Sequence, residues 1–126
     1  MAQILVIEDD IQGREMLKQM LEMEGYGVAE AADGNEGATA FIEHSPELVI
    51  TDIIMPNKGG LETIINLKRE NPKVKIFAIT GGGRVVKADF LTIAESIGAT
   101  KTFKKPLDRH EIIAAVKEAV GEPALQ

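Results

Sequence analysis

No cysteine occurs anywhere in the chain, which rules out a disulfide framework and thiolate metal ligands alike. Tryptophan is absent too, and the aromatics are Tyr26, Phe41, Phe77, Phe90 and Phe103, too few to build a base-stacking platform. Positive charge is scarce: 14 Lys and Arg stand against 20 Asp and Glu, for a net charge of −6. Phosphate backbones demand clustered cations, and the one short basic run is Lys101, Lys104 and Lys105, so direct nucleic-acid binding is not expected. Long apolar runs are missing as well. Stretches such as Leu48–Ile50 are far too short to cross a bilayer, so no membrane insertion is expected. No basic region followed by an apolar stretch precedes Ile4–Ile7, which makes a cytoplasmic location the simplest expectation.

What is present is the material of one domain. The 126 residues are 44% apolar and 27% charged, enough for a single core and not for two. We expect the domain over residues 1–121, with 122–126 as a short Pro-containing tail and no output domain after it.

Short apolar runs alternate with longer amphipathic ones. Ile4–Ile7 has the length of a strand, and Arg14–Glu24 places Met16, Leu17, Met20 and Leu21 at helical spacing before Gly25. Tyr26–Ala31 reads as a second strand. Asp33-Gly34 turns into a helix with Ala38, Phe41 and Ile42 on its buried face. After Pro46 comes a third strand, Leu48–Ile50, and after the Pro56–Gly60 loop a helix carrying Leu61, Ile64, Ile65 and Leu67. Val74–Thr80 forms a fourth strand, followed by Gly81, Gly82 and Gly83 and a helix ending near Gly98. Lys101–Lys104 is a short fifth strand, and Asp108 with Glu111 opens a last helix bearing Ile112, Ile113, Val116 and Val120.

Strands that are apolar throughout, without two-residue alternation, suit a parallel sheet covered on both faces. Right-handed crossovers then give an α/β fold with a doubly wound five-stranded parallel sheet flanked by five helices. The flavodoxin-like order 2-1-3-4-5 is one common solution, adopted from that fold class because local residue patterns alone do not select it.

With that order, polar residues at the C-terminal ends of four strands share one edge of the sheet: Glu8 and Asp9, Asp52, Thr80 and Lys105. The third and fifth strands would lie roughly 10 Å apart, a gap that a lysine can cross. Glu8 and Asp9 alone could be no more than a solvated helix start, and Asp10 reads as a helix cap. Joined by Asp52 they make three carboxylates that repel unless a cation intervenes, and Mg²⁺ is suited to such oxygen ligands. A carboxylate can act as a nucleophile toward phosphorus, which requires the transferring oxygens to be neutralised.

The runs Ile4-Leu5-Val6-Ile7-Glu8-Asp9-Asp10, Asp52-Ile53-Ile54-Met55-Pro56, Thr80 and Lys105-Pro106 resemble those of bacterial two-component response-regulator receiver domains. The likeness spans about Gln3 to Val120. It implies that Asp52 accepts a phosphoryl group from a sensor histidine kinase or a histidine phosphotransfer protein. It also implies that Glu8, Asp9, Asp52 and the backbone carbonyl of Ile54 hold Mg²⁺, that Thr80 and Lys105 bind the phosphoryl oxygens, and that Lys105-Pro106 is cis. Such a protein signals without being an enzyme, catalysing only its own phosphorylation and dephosphorylation. Its downstream protein target would dock on the surface of the fourth helix, fifth strand and fifth helix.

The departures from the family pattern are specific. The first acid is Glu8 where many members carry Asp. Thr102 stands where an aromatic switch residue is frequent, and Phe103 should point to the opposite face. Ile54 and Gly82 can act neither as acid nor as base, so a persistent phosphoryl group is expected. Ile54 also argues against an aspartate-nucleophile phosphatase, which carries a second Asp there. Glu8-Asp9-Asp10 argues against a flavin phosphate loop, and no Gly-x-x-x-x-Gly-Lys run is present. A receiver-like module that binds partners without phosphorylation is the remaining alternative. His44 and His110 read as surface residues, Lys101 and Lys104 as edge-strand protection, and Met16, Met20 and Met23 as core packing.

Overall fold

The computed structural model describes residues 3–53, 59–80 and 88–123, with backbone alone for 88–91. The elements alternate strictly: β1 (Ile4–Ile7), α1 (Ile11–Met23), β2 (Val28–Ala31), α2 (Gly34–His44), β3 (Leu48–Asp52), α3 (Gly60–Glu70), β4 (Lys75–Thr80), α4 (Ala88–Ser96), β5 (Lys101–Lys104) and α5 (Arg109–Val120). All strand pairs are parallel, in the order β2-β1-β3-β4-β5.

The uninterrupted apolar strands follow from having helices on both faces. Ile4 and Val6 face one core with Leu17, Met20 and Leu21 of α1 and Ile112 and Val116 of α5. Leu5 and Ile7 face the other, with Phe41 of α2, Ile64 and Leu67 of α3 and Ala94 of α4. Each fully buried Ile or Leu contributes roughly 1.5–3 kcal/mol, so both faces of a strand stabilise the sheet. At β5 the same alternation sends Phe103 into the first core, where its ring lies 5.3 Å from that of Phe77. Thr102 sits on the other side of the strand, as the two-residue period predicts.

Three helices start on an aspartate whose carboxylate accepts a backbone N–H three residues on: Asp10 from Gly13, Asp33 from Glu36 and Asp108 from Glu111. The Asp10 cap starts α1 at Ile11, ahead of the expected Arg14. Gly25 and Gly98, both at positive φ, follow the ends of α1 and α4 as expected.

Other expectations are corrected. Tyr26 is not in β2, whose pairing begins at Val28; its ring is buried and its hydroxyl donates to the Gly121 carbonyl at 2.8 Å. Ile42 and Ile65 are exposed, because α2 buries Gly37 and Phe41 and α3 buries Thr63, Ile64 and Leu67, leaving those isoleucines off the inward stripe. Met16 and Met23 are likewise exposed while Met20 is buried, since the inward stripe of α1 is Leu17, Met20 and Leu21.

Candidate functional site

The sheet register places the polar residues side by side at one edge. Ile7 pairs with Thr51, Asp52 with Ile79, and Thr80 with Lys104, so Glu8, Asp52, Thr80 and Lys105 emerge at neighbouring points. Backbone bonds at the strand ends hold each of them. Glu8 N–H donates to Ala31 O at 3.0 Å, Ile53 N–H to Ile79 O at 2.9 Å, and Lys105 N–H to Thr80 O at 2.9 Å. A site built this way inherits the rigidity of the sheet.

Asp52 is also fixed from below by the start of α3. Gly60 N–H donates to Ile53 O at 2.8 Å, and a Cβ on Gly60 would lie 2.3 Å from the Asp52 carbonyl oxygen and 2.3 Å from Ile53 Cα. No side chain fits there, so glycine permits the approach.

Glu8, Asp52 and Thr80 are buried, while Asp9 is exposed. The carboxylates of Glu8, Asp9 and Asp52 bring one oxygen each to within 4.8 Å of one another. Lys105 Nζ donates to Asp52 Oδ2 at 3.0 Å and to Glu8 Oε1. Burial opposes the charge on Lys105, yet these two hydrogen bonds and the surrounding negative field hold its pKa above the usual lysine value. The Asp9 carboxyl is raised, first by partial burial and then by its hydrogen bond to Glu8 and the repulsion of that acid. One ammonium against three carboxylates leaves the cluster net negative, and its oxygen donors fit a divalent cation.

The Thr80 hydroxyl is buried and makes no hydrogen bond among the described residues. An unsatisfied buried hydroxyl at the mouth of such a cluster is a donor waiting for an acceptor. The Lys105-Pro106 peptide is cis. Asp10 points its carboxylate into the α1 cap and its N–H to Glu8 Oε2 at 3.2 Å, so it belongs to the helix start. Ile54 and Gly82 lie outside the described residues.

The sequence reading missed Gly60 and Arg14, the latter donating through its guanidinium to the Glu8 carbonyl at 2.9 Å. Arg14 and Lys18 stand one helical turn apart and both pair with Glu30, the one charged residue in β2; that pattern was the available signal.

The model of the response regulator receiver domain family matches residues 4–117. The chain belongs to that family. Relatives agree. It is 30% identical over 117 residues to transcriptional regulatory protein CpxR of Klebsiella pneumoniae, covering 93% of this chain and 48% of that protein. It is 29% identical over 115 residues to sporulation initiation phosphotransferase F of Bacillus subtilis, covering 91% of this chain and 90% of that one. The chain thus spans about half the length of the CpxR proteins it matches. A receiver domain crystal structure from Clostridium thermocellum superposes with a TM-score of 0.86 at 30% identity, covering 95% of this chain and 94% of that one. A phosphoacceptor role as a two-component response regulator follows from this membership. Receiver domains of this family are in general phosphoacceptors and not enzymes. No helix among the described residues is long and apolar enough to cross a membrane.

Proposed function

We propose that Asp52 is the phosphoacceptor, with Glu8, Asp9, Asp52 and the Ile54 carbonyl holding Mg²⁺ and with Thr80 and Lys105 receiving the phosphoryl oxygens. The observation that carries this reading is the convergence at one sheet edge of three carboxylates, one ammonium and a buried hydroxyl with no partner among the described residues. When bound, Mg²⁺ supplies positive charge against the phosphoryl oxygens. A carboxylate oxygen of Asp52 attacks phosphorus as the P–N bond of a donor phosphohistidine breaks, and the electron pair returns to the imidazole nitrogen. Lys105, already within hydrogen-bond distance of Asp52, neutralises a second phosphoryl oxygen, and Thr80 donates to a third.

The donor is a sensor histidine kinase or a histidine phosphotransfer protein, and the protein works in the cytoplasm. Phosphorylation roughly doubles the negative charge at Asp52 and gives Thr80 a partner. The phosphorylated state is recognised by a downstream protein on the α4, β5 and α5 surface. That surface carries a groove of about 380 Å³ bordered by Glu95, Thr102, Phe103, Glu111 and Glu118. Because neither Ile54 nor Gly82 can assist water, the phosphoryl group persists; rapid phosphate release in a time course would contradict this.

The test is incubation with Mg²⁺ and acetyl phosphate followed by intact mass measurement. A phosphoryl adduct that needs Mg²⁺ and disappears in Asp52→Asn is expected. An adduct surviving in Asp52→Asn would move the acceptor elsewhere.

A further inference from the structure

Arg14 ties together three parts of the molecule that meet beside the acids. Its Nη1 donates to the carbonyl of Glu8 at 2.9 Å, and its Nε lies 3.4 Å from Glu30 Oε1 on β2. Its own backbone N–H donates to the carbonyl of Asp10 at 2.9 Å, inside the turn that starts α1. Lys18, one turn further along α1, lies 3.2 Å from the other oxygen of Glu30 and fixes that carboxylate in place. The Arg14 side chain is only 18% exposed, so the guanidinium is held against the protein and not waving in solvent.

The placement matters because the paired register of β1 with β2 ends at Ile7 and Ala31. Glu8, Asp9 and Asp10 follow at once and must leave the sheet to enter α1. The Glu8 carbonyl lies at the point of departure. A planar guanidinium donates in two directions at a fixed angle, so it can grip this carbonyl and Glu30 together, which a lysine ammonium on a flexible stem does less well.

We propose that Arg14 is a positioning residue for the cation site, acting through the Glu8 backbone to set the carboxylates of Glu8 and Asp9. This rests on the reading of Glu8, Asp9 and Asp52 as metal ligands. Partners that orient metal ligands without touching the metal commonly change affinity when removed. Here the sign discriminates. Arg14 is itself a cation, so deleting it by electrostatics alone leaves the loop more negative and tightens binding of a divalent ion. Deleting a positioning contact loosens it.

The experiment titrates Mn²⁺ into the full chain and follows the free-ion electron paramagnetic resonance signal. Binding by the wild type that is lost in Asp9→Asn establishes the site independently. In that setting Arg14→Met is expected to raise the Mn²⁺ dissociation constant by about tenfold, with Arg14→Lys recovering part of the loss. Arg14→Lys keeps the charge, so electrostatics alone leaves binding unchanged, yet it is expected to raise the constant by about threefold because the planar fork that grips the Glu8 carbonyl and Glu30 together is lost. Far-ultraviolet circular dichroism checks that each variant is folded; should Arg14→Met not fold, Arg14→Lys carries the test. Unchanged or tighter Mn²⁺ binding in a folded Arg14→Met, or in Arg14→Lys where that variant decides, overturns the positioning role while leaving the metal site intact. Absence of binding in the wild type overturns both.

Discussion

The Lys105 ammonium lies 3.0 Å from Asp52 Oδ2 and also contacts Glu8, so one cation from the end of β5 bridges two buried acids at the ends of β3 and β1. Desolvated carboxylates are costly without a positive partner, and removing one member of a buried pair typically costs about 3–5 kcal/mol. Lys105 is partly solvated, which reduces the loss. Lys105→Met is therefore expected to destabilise the metal-free protein by about 2 kcal/mol. Mg²⁺ should restore more stability to the variant than it adds to the wild type. Urea unfolding with and without Mg²⁺ measures both quantities. A variant as stable as wild type in EDTA would mean the bridge contributes nothing to the resting fold.

The Thr80 hydroxyl makes an opposite prediction for stability and for signalling. Buried without a partner among the described residues, it carries an uncompensated desolvation cost that an isosteric methyl would not. Thr80→Val should stabilise the unphosphorylated protein by about 1 kcal/mol. The same variant should lose the response of the α4, β5 and α5 surface to phosphorylation. Chemical denaturation and the amide spectrum of β5 before and after acetyl phosphate separate the two effects. Stability falling in Thr80→Val would indicate that the hydroxyl has a resting partner after all.

These residues were legible in the sequence for a simple reason. Asp52 and Thr80 end apolar strands, Glu8 immediately follows another and Lys105 immediately follows β5, so each stands at the point where a parallel sheet delivers side chains to its C-terminal edge. The Phe103 and Thr102 alternation was equally readable, being a matter of strand period. The strand order had to come from the fold class, because nothing local distinguishes β1 beside β3 from other parallel arrangements. Gly60 and the Tyr26 hydroxyl bond to Gly121 were hidden because each depends on a close approach between separate segments of the chain. The exposure of Ile42 was hidden for another reason: Gly37 and Phe41 set the inward direction of α2, and an adjacent isoleucine reads as apolar whichever way it points.

Gly60 supplies the third prediction. A methyl at that position would strike backbone atoms of Asp52 and Ile53 at 2.3 Å, and backbone cannot swing aside as a flexible side chain can. Gly60→Ala is expected to cost about 3 kcal/mol. Since the strain falls on the peptide bearing Asp52, the proposed acceptor, the phosphoryl adduct should also form more slowly than stability loss alone explains. Adduct formation measured well below the melting temperature tests this. A normal rate in a folded Gly60→Ala would show that the contact holds α3 but does not position Asp52.

Asp9 gives the pH dependence. Its pKa is raised above the ordinary 3.8, first by partial burial and then by Glu8, so the metal-free fold favours the protonated carboxyl. A raised folded-state pKa contributes stability that is present below the ordinary value and lost as pH rises through the raised one. At neutral pH the ionised Asp9 therefore works against the metal-free fold. Asp9→Asn should raise the melting temperature in EDTA at pH 7 by no more than about 2 °C, because the group is largely exposed and solvent screens it. The gain should fade once pH drops below the ordinary carboxyl range, where both states of the wild type are protonated. Under Mg²⁺ the sign should reverse on the proposed ligation, in which Asp9 gains an interaction that the amide supplies poorly. Calorimetric melting at pH 7 and at acid pH, with EDTA or Mg²⁺, supplies the comparison. Asp9→Asn less stable than wild type in EDTA at pH 7 would mean that Asp9 is already well compensated in the resting cluster, and that its repulsion by Glu8 does not drive metal uptake.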